Sequence, residues 1–287
     1  MIPHGAVVVF FSHQGVPMRR TALLLTLPAI LCAAPVTRDM AITTPDGFKL
    51  QGTLTLPETS AKTKRKKLPV VILAHQFRSD RDGWAPLAEK LQAKGIATLA
   101  LDLRGHGKST QKGDATVAVT ENFEESAKTV GFDRIPDDLA LAAAWVRKQP
   151  GIRPHRVALA GASVGANSVL LAAPKIHPVA ILALSPGGNP EGLAKAATRA
   201  HAATMAFGSD GEKYVIDALA ALKPVPGVHN RVFEGTDHGF AFFKDHVDVM
   251  AVFLAEYLFD YHSGMATPKE KAEKEKVEPT EAAVILK

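Results

Sequence analysis

Val157-Ala158-Leu159-Ala160-Gly161-Ala162-Ser163-Val164-Gly165 is the stretch on which the reading of this chain turns. Four small apolar residues make a short strand. A glycine-flanked serine follows at once, and Val164 to Ala173 then carries small and apolar residues suited to a helix. Strand, sharp turn and helix around G-x-S-x-G is the arrangement that lifts a serine hydroxyl above the end of a sheet. The serine needs a strained backbone there, and strand and helix come too close for side chains at the flanking positions. The helix start behind it offers free N–H groups and a partial positive charge where an oxyanion would develop.

The same alternation runs outward in both directions. Strands are expected at Pro69 to Ala74, Ile96 to Leu101, Val179 to Leu184, Ala202 to Phe207 and Asn230 to Phe233. Helices are expected at Trp84 to Lys94, Asp137 to Lys148, Tyr214 to Leu222 and Val247 to Phe259. Trp84, Leu87, Ala88 and Leu91 fall at helical spacing. The Val/Ile/Leu run of Pro69 to Ala74 is apolar on both faces, which places it inside a parallel sheet. Ahead of it, Ala41 to Thr44 and Phe48 to Leu56 flank Pro45-Asp46-Gly47, a tight-turn signature. The fold class that follows is α/β: a mostly parallel central sheet, helices on both faces and an N-terminal antiparallel hairpin. In such sheets ligands sit beyond the carboxyl ends of the strands, so the residues just after each strand carry the chemistry.

Composition removes whole classes of function. No stretch approaches the about 20 apolar residues of a membrane-spanning helix. A single cysteine rules out a disulfide framework and a multi-cysteine metal site. The net charge of +5 is nearly local, since Lys62, Lys64, Arg65, Lys66 and Lys67 supply five positive charges in one loop. A nucleic-acid partner would need a basic face with aromatics, so none is expected. Neither HExxH nor GxxxxGK[ST] occurs, and no metal or organic cofactor is expected.

A serine needs a base. His238 lies in Gly235-Thr236-Asp237-His238-Gly239, directly after the last strand, and is the candidate. The histidine in turn needs an acceptor that fixes its tautomer. Asp210, in Gly208-Ser209-Asp210-Gly211 behind the strand ending at Phe207, is the candidate acceptor. Asp237 adjoins His238 and should point away, and Asp217 falls within a helix.

With Ser163, Asp210 and His238 in that chain order, the sequence resembles the α/β-hydrolase family. Asp102-Leu103-Arg104-Gly105-His106-Gly107-Lys108-Ser109 is similar to the loop after an early strand in the family's esterase and serine-aminopeptidase-like members, where a structural role is expected. The resemblance extends from about Ala41 to Phe259 and implies the α/β-hydrolase fold. The family often carries His-Gly where this chain has His75-Gln76-Phe77. An oxyanion hole needs backbone N–H groups, so Gln76 does not abolish it. Its expected donors are the Val164 and Phe77 amides, with His75 and Gln76 as candidates for the substrate pocket. Only Ser185 to His201 separates two strands where relatives carry a helical cap, which leaves room for one short helix over Pro190 to Ala200 and no large cap domain. Thr110 to Arg134 holds Phe123, Val130 and Phe132 and either covers the site in part or packs on the surface.

The implied chemistry is acyl transfer from a small-molecule carboxylic ester to Ser163 and then to water, in a carboxylesterase or dienelactone-hydrolase-like enzyme. An acyltransferase, a serine peptidase or a binding protein with an unused triad remain open on the same scaffold. No pattern in the chain fixes an oligomeric state.

The ends read differently. Met18, Arg19-Arg20, the apolar run Thr21 to Leu31 and Cys32-Ala33-Ala34 make a secretory signal with Met18 as the expected start. Cys32 is alternatively a lipid attachment point. Export to a periplasmic or extracellular place is expected, and the cytoplasm if the segment is not a functional signal. From Ser263 onward Lys and Glu alternate without aromatics, the composition of a disordered tail. The expected organisation is 1–35 extension and signal, 36–262 hydrolase domain and 263–287 tail.

Overall fold

The computed structural model describes residues 35–57 and 67–259. The expected signal, Cys32, most of the basic loop and the charged tail lie outside the described residues. An antiparallel hairpin opens the fold: β1 (Val36–Thr43) and β2 (Lys49–Leu56), paired from Val36↔Leu56 to Thr43↔Lys49. Then come β3 (Leu68–Ala74), α1 (Ala85–Ala93) behind a 3-10 turn at Arg81–Trp84, and β4 (Ala97–Asp102). The segment after β4 holds a two-residue hairpin, β5 (Gln111–Lys112) with β6 (Ala115–Thr116), and one turn of helix, α2 (Phe123–Ser126). It runs through a π turn into α3 (Ile135–Arg147). The rest alternates: β7 (Ile152–Ala162), α4 (Val164–Ile176), β8 (Ala180–Leu184), α5 (Pro190–Ala200), β9 (Ala203–Ser209), α6 (Lys213–Leu222), β10 (Val228–Phe233) and α7 (Phe243–Leu258).

Eight strands form one sheet in the order β1-β2-β4-β3-β7-β8-β9-β10. Within this sheet, among the described residues, only β1–β2 and β2–β4 pair antiparallel; the other five pairings are parallel. Strand alternation sorts the core into two layers. Val70, Ile72 and Ala74 of β3 pack with Leu139 of α3, Val169 of α4, Leu193 of α5 and Val215 of α6. Val71 and Leu73 point the other way, to Leu87 and Leu91 of α1 and Met250 and Leu254 of α7. The architecture is therefore the α/β-hydrolase one expected from the sequence, with α5 as the short helix foreseen over Pro190 to Ala200.

Several boundaries differ from the sequence reading, and four of the differences have a plain physical reason. α3 starts at Ile135 and takes Pro136 into its first turn, where a missing N–H costs nothing. β7 begins five residues before Val157 because Leu68 bridges Ile152 beyond a register shift. α7 begins at Phe243, whose ring is buried beside Trp84. β9 runs two residues past Phe207, to Ser209, because β10 pairs with it that far.

The Asp102 to Ser109 loop is structural, as its resemblance implied. Asp102 accepts from Arg81 Nη2 at 2.8 Å and from the Lys108 amide at 2.7 Å. Arg104 is 1% exposed; it donates to Asp138 from Nε at 2.6 Å and Nη2 at 2.8 Å, and to Asp46 from Nη1 at 3.0 Å. A buried guanidinium needs such partners for its charge. The Asp46 contact joins the first hairpin turn to α3.

Candidate active site

Ser163 stands between β7 and α4 with φ 53 and ψ −116, the left-handed side of backbone space that non-glycine residues rarely take. Its glycine neighbours are forced. A Cβ at Gly161 would lie 2.2 Å from the Gly165 carbonyl oxygen, and one at Gly165 would lie 2.1 Å from that of Ala74. The Ser163 amide donates to Leu184 O at 2.8 Å, which ties the elbow to the end of β8. Val164 is the first residue of α4, and the opening N–H groups of a helix have no intrahelical acceptor.

Ser163 and His238 line one pocket of about 410 Å³. Gln76, Phe77 and Val164 line it beside the serine, so the two residues expected to give oxyanion amides are brought to it. Phe123 adds an apolar wall from the segment between β4 and α3, edge-on to Phe77 at 5.1 Å between ring centres. That segment thus covers part of the site. Asn167, one turn beyond Ser163 on α4, lines the pocket and accepts the Gly187 amide at 2.7 Å.

The carboxylate that meets the histidine is Glu212 and not Asp210. Glu212 Oε1 lies 2.8 Å from His238 Nδ1. Asp210 is exposed, and its Oδ1 accepts the Gly235 amide at 2.9 Å. The cause is the length of β9: the strand ends two residues later than expected, so the position that faces His238 moves from 210 to 212. Tyr214 was also missed. Its hydroxyl donates to the same Glu212 oxygen at 2.9 Å and lies 3.4 Å from His238 Nδ1. Burial, then the Glu212 contact, pushes its phenol up to about 12, so it stays a donor at any working pH. Asp237 points away, as expected, and pairs with Lys244 at 3.0 Å.

His75 does not reach the pocket. It is fully buried, and its Nε2 accepts the Leu103 amide at 3.0 Å. That acceptor role places the ring proton on Nδ1, which donates to Gln76 O at 2.7 Å. Burial pushes the imidazole down to about 4, so it is neutral at pH 7. A trans peptide directs its carbonyl and its N–H to opposite sides. By holding Gln76 O, His75 therefore orients the Phe77 N–H. Gln76 does line the pocket, but its side-chain oxygen is engaged by the Phe240 amide at 2.9 Å.

Among the described residues no group of three or more His, Cys, Asp or Glu gathers as a metal site, and no helix is long and apolar enough to cross a membrane.

Comparison with known proteins agrees with the fold. A family model described as serine aminopeptidase, S33, matches residues 65–206. An uncharacterised protein of Mycobacterium tuberculosis is 27% identical over 193 residues, which are 65% of this chain and 58% of that protein. The chain thus spans just over half the length of the curated relative it matches. An acetyl xylan esterase from a Paenibacillus species superposes with a TM-score of 0.62 at 18% identity, over 81% of this chain and 87% of that one. A dienelactone hydrolase from Anabaena variabilis superposes with a TM-score of 0.56 at 22% identity, over 79% of this chain and 98% of that one.

Proposed function

We propose that this chain, which has the α/β-hydrolase fold and matches the serine aminopeptidase family model over residues 65–206, hydrolyses carboxylic esters through a Ser163–His238–Glu212 triad. One observation carries the reading. A serine on a left-handed elbow and a histidine held by a carboxylate at 2.8 Å line the same pocket.

In this reading His238 keeps its Nδ1 proton on Glu212 and presents Nε2 to the serine. Nε2 takes the Ser163 proton as Oγ attacks the ester carbonyl, and Glu212 steadies the imidazolium. The Val164 and Phe77 amides hold the tetrahedral oxyanion. His238 returns the proton to the leaving alcohol, and water then repeats the cycle on the acyl-enzyme.

The lining supports a small uncharged ester. No Asp, Glu, Lys or Arg is among the described residues that line the pocket, and Phe77, Phe123 and Tyr214 give it aromatic walls. A charged acyl or alcohol group would lose its hydration there without a partner. An aminopeptidase reading lacks a free carboxylate for the substrate amine, since Glu212 already serves His238 and Tyr214. Export through the 18–34 segment is part of the proposal, and the N-terminus of the mature protein tests it.

The test of the chemistry is substrate-independent. The purified protein is treated with a fluorophosphonate and the adduct located by mass spectrometry. A single adduct on Ser163, absent from Ser163→Ala, is expected. Folded protein that takes no adduct would refute the reading and leave a binding role.

A further inference from the structure

The peptide groups around His238 are held from three strand ends. Ser209 Oγ, closing β9, donates to Asp237 O at 2.8 Å. Ser185 Oγ, just beyond β8, accepts the Gly239 amide at 3.0 Å. Gln76 Oε1, just beyond β3, accepts the Phe240 amide at 2.9 Å, across 164 residues of chain. The donor is a backbone N–H, so the Gln76 atom that faces it is the carbonyl oxygen.

Gln76 differs from the two serines because it also belongs to the oxyanion loop. Its own carbonyl is held by His75 Nδ1 at 2.7 Å and the Ser79 amide at 3.2 Å. Its next peptide N–H is that of Phe77. One residue therefore fixes both the amide aimed at the oxyanion and the loop that carries the base. The far side of the contact is equally fixed. The Phe240 ring packs 5.0 Å from Trp84 and 5.2 Å from Phe243. Gly239 has φ 55, and a Cβ there would lie 2.1 Å from Gln76 Oε1. The loop is thus shaped around the glutamine side chain.

We propose that Gln76 is a positioning residue for His238, setting the distance between the general base and the oxyanion amides. The inference rests on the serine-hydrolase reading above. It accounts for a glutamine where the family often has glycine: the side chain is spent on the enzyme's own base loop and not on substrate. Misplacement of a catalytic group by about 1 Å costs on the order of a hundredfold in rate, so the effect belongs in kcat.

The experiment uses the full chain with Gln76→Ala, Gly239→Ala and the double variant. Hydrolysis is measured on p-nitrophenyl acetate and p-nitrophenyl butyrate. Active sites are titrated with a fluorophosphonate, so that kcat refers to folded enzyme. Gly239→Ala breaks the same contact from the other side. Its left-handed strain is present in both backgrounds and cancels in the cycle. Each single variant is expected to lose about tenfold or more in kcat. KM should stay within about threefold, and the loss should be equal for the two esters. The double variant should be about as slow as the slower single one, not slower by the product of both losses. Gln76→Met keeps the volume without the acceptor and replaces Gln76→Ala if the alanine variant does not fold.

The proposal is overturned if kcat stays within about twofold of wild type. It is also overturned if the loss lies in KM and changes with the acyl chain, which would make Gln76 a substrate contact. Multiplied losses in the double variant overturn it too. Wild-type protein that neither labels at Ser163 nor turns over either ester overturns the hydrolase reading, and this inference with it.

Discussion

Glu212 Oε1 lies 2.8 Å from His238 Nδ1, with 13% of the glutamate side chain exposed. The two residues come from the loops that follow neighbouring strands, β9 and β10, so the sheet itself sets their approach. Glu212→Gln keeps the shape but removes the charge that fixes the histidine tautomer. It should lower kcat/KM by about 10²- to 10⁴-fold. Asp210→Asn should cost less than about tenfold, because Asp210 only accepts an exposed backbone amide. Steady-state kinetics on one ester decides the matter, and the reverse ranking would return the role to Asp210.

Acid should weaken the protein through His75 before it touches the carboxylates. Burial depresses this imidazole from 6.5 to about 4, so between those values the unfolded chain binds a proton that the folded one refuses. Stability is then complete above about pH 6.5 and declines as pH falls toward 4, by about 3 kcal/mol for this group. His106, also pushed down by burial, acts in the same direction. Asp46 is held at about 2: burial would raise it, but the Thr44 and Arg104 contacts prevail, so its loss comes only at lower pH. Urea unfolding at pH 7 and pH 4.5 measures the difference, and equal midpoints would contradict the buried neutral state of His75.

Two glycines should respond very differently to alanine. A Cβ on Gly165 meets the backbone oxygens of Ala74 at 2.1 Å and His75 at 2.6 Å, which cannot yield without moving the oxyanion loop. Gly165→Ala should cost about 3 kcal/mol or more, or abolish folding. Gly95 has φ 78 but nothing within 4 Å of its Cβ position, so Gly95→Ala should cost only about 1–2 kcal/mol of backbone strain. Denaturant melts of both variants give the comparison.

Phe123 is 48% exposed although it walls the pocket. Phe123→Ala removes little buried area and should cost less than about 1 kcal/mol of stability. It should raise KM for esters with bulky apolar groups while leaving acetate esters nearly unchanged. An acyl-length series on the variant and wild type is the check, and a uniform change across the series would place Phe123 outside the substrate site.

Legibility in the sequence followed how local each signal was. Ser163 and His238 could be found because turn glycines bracket them directly after apolar runs. The fold was legible for the same reason, since burial on both sheet faces leaves unbroken Val, Ile and Leu runs. Glu212 was hidden by the end of β9, where Gly208 and Ser209 look like the start of a turn and are instead the last two paired residues. Both lie buried, and a side chain at Gly208 would strike Val215 of α6. His75 was misplaced because nothing in His75-Gln76-Phe77 says which residue turns inward after a strand. That depends on the Leu103 amide waiting on the neighbouring loop. Tyr214 and Gln76 act across 24 and 164 residues, distances over which a single sequence carries no pairing signal.

The proposed base hangs from the edge of the sheet. Among the described strands β10 pairs with β9 alone, and His229, Arg231 and Val232 on it stand exposed. Ser163, in contrast, follows β7, which has paired strands on both sides. Edge strands with exposed backbone bonds open at lower free energy than central ones. The two halves of the proposed chemistry are therefore kept by parts of the fold with different lifetimes. In mild denaturant, turnover should fade while far-UV dichroism is still native, and hydrogen exchange should locate the first opening at residues 228–233. The working limit of the enzyme would then be the fraying of one strand, reached well before the molecule unfolds.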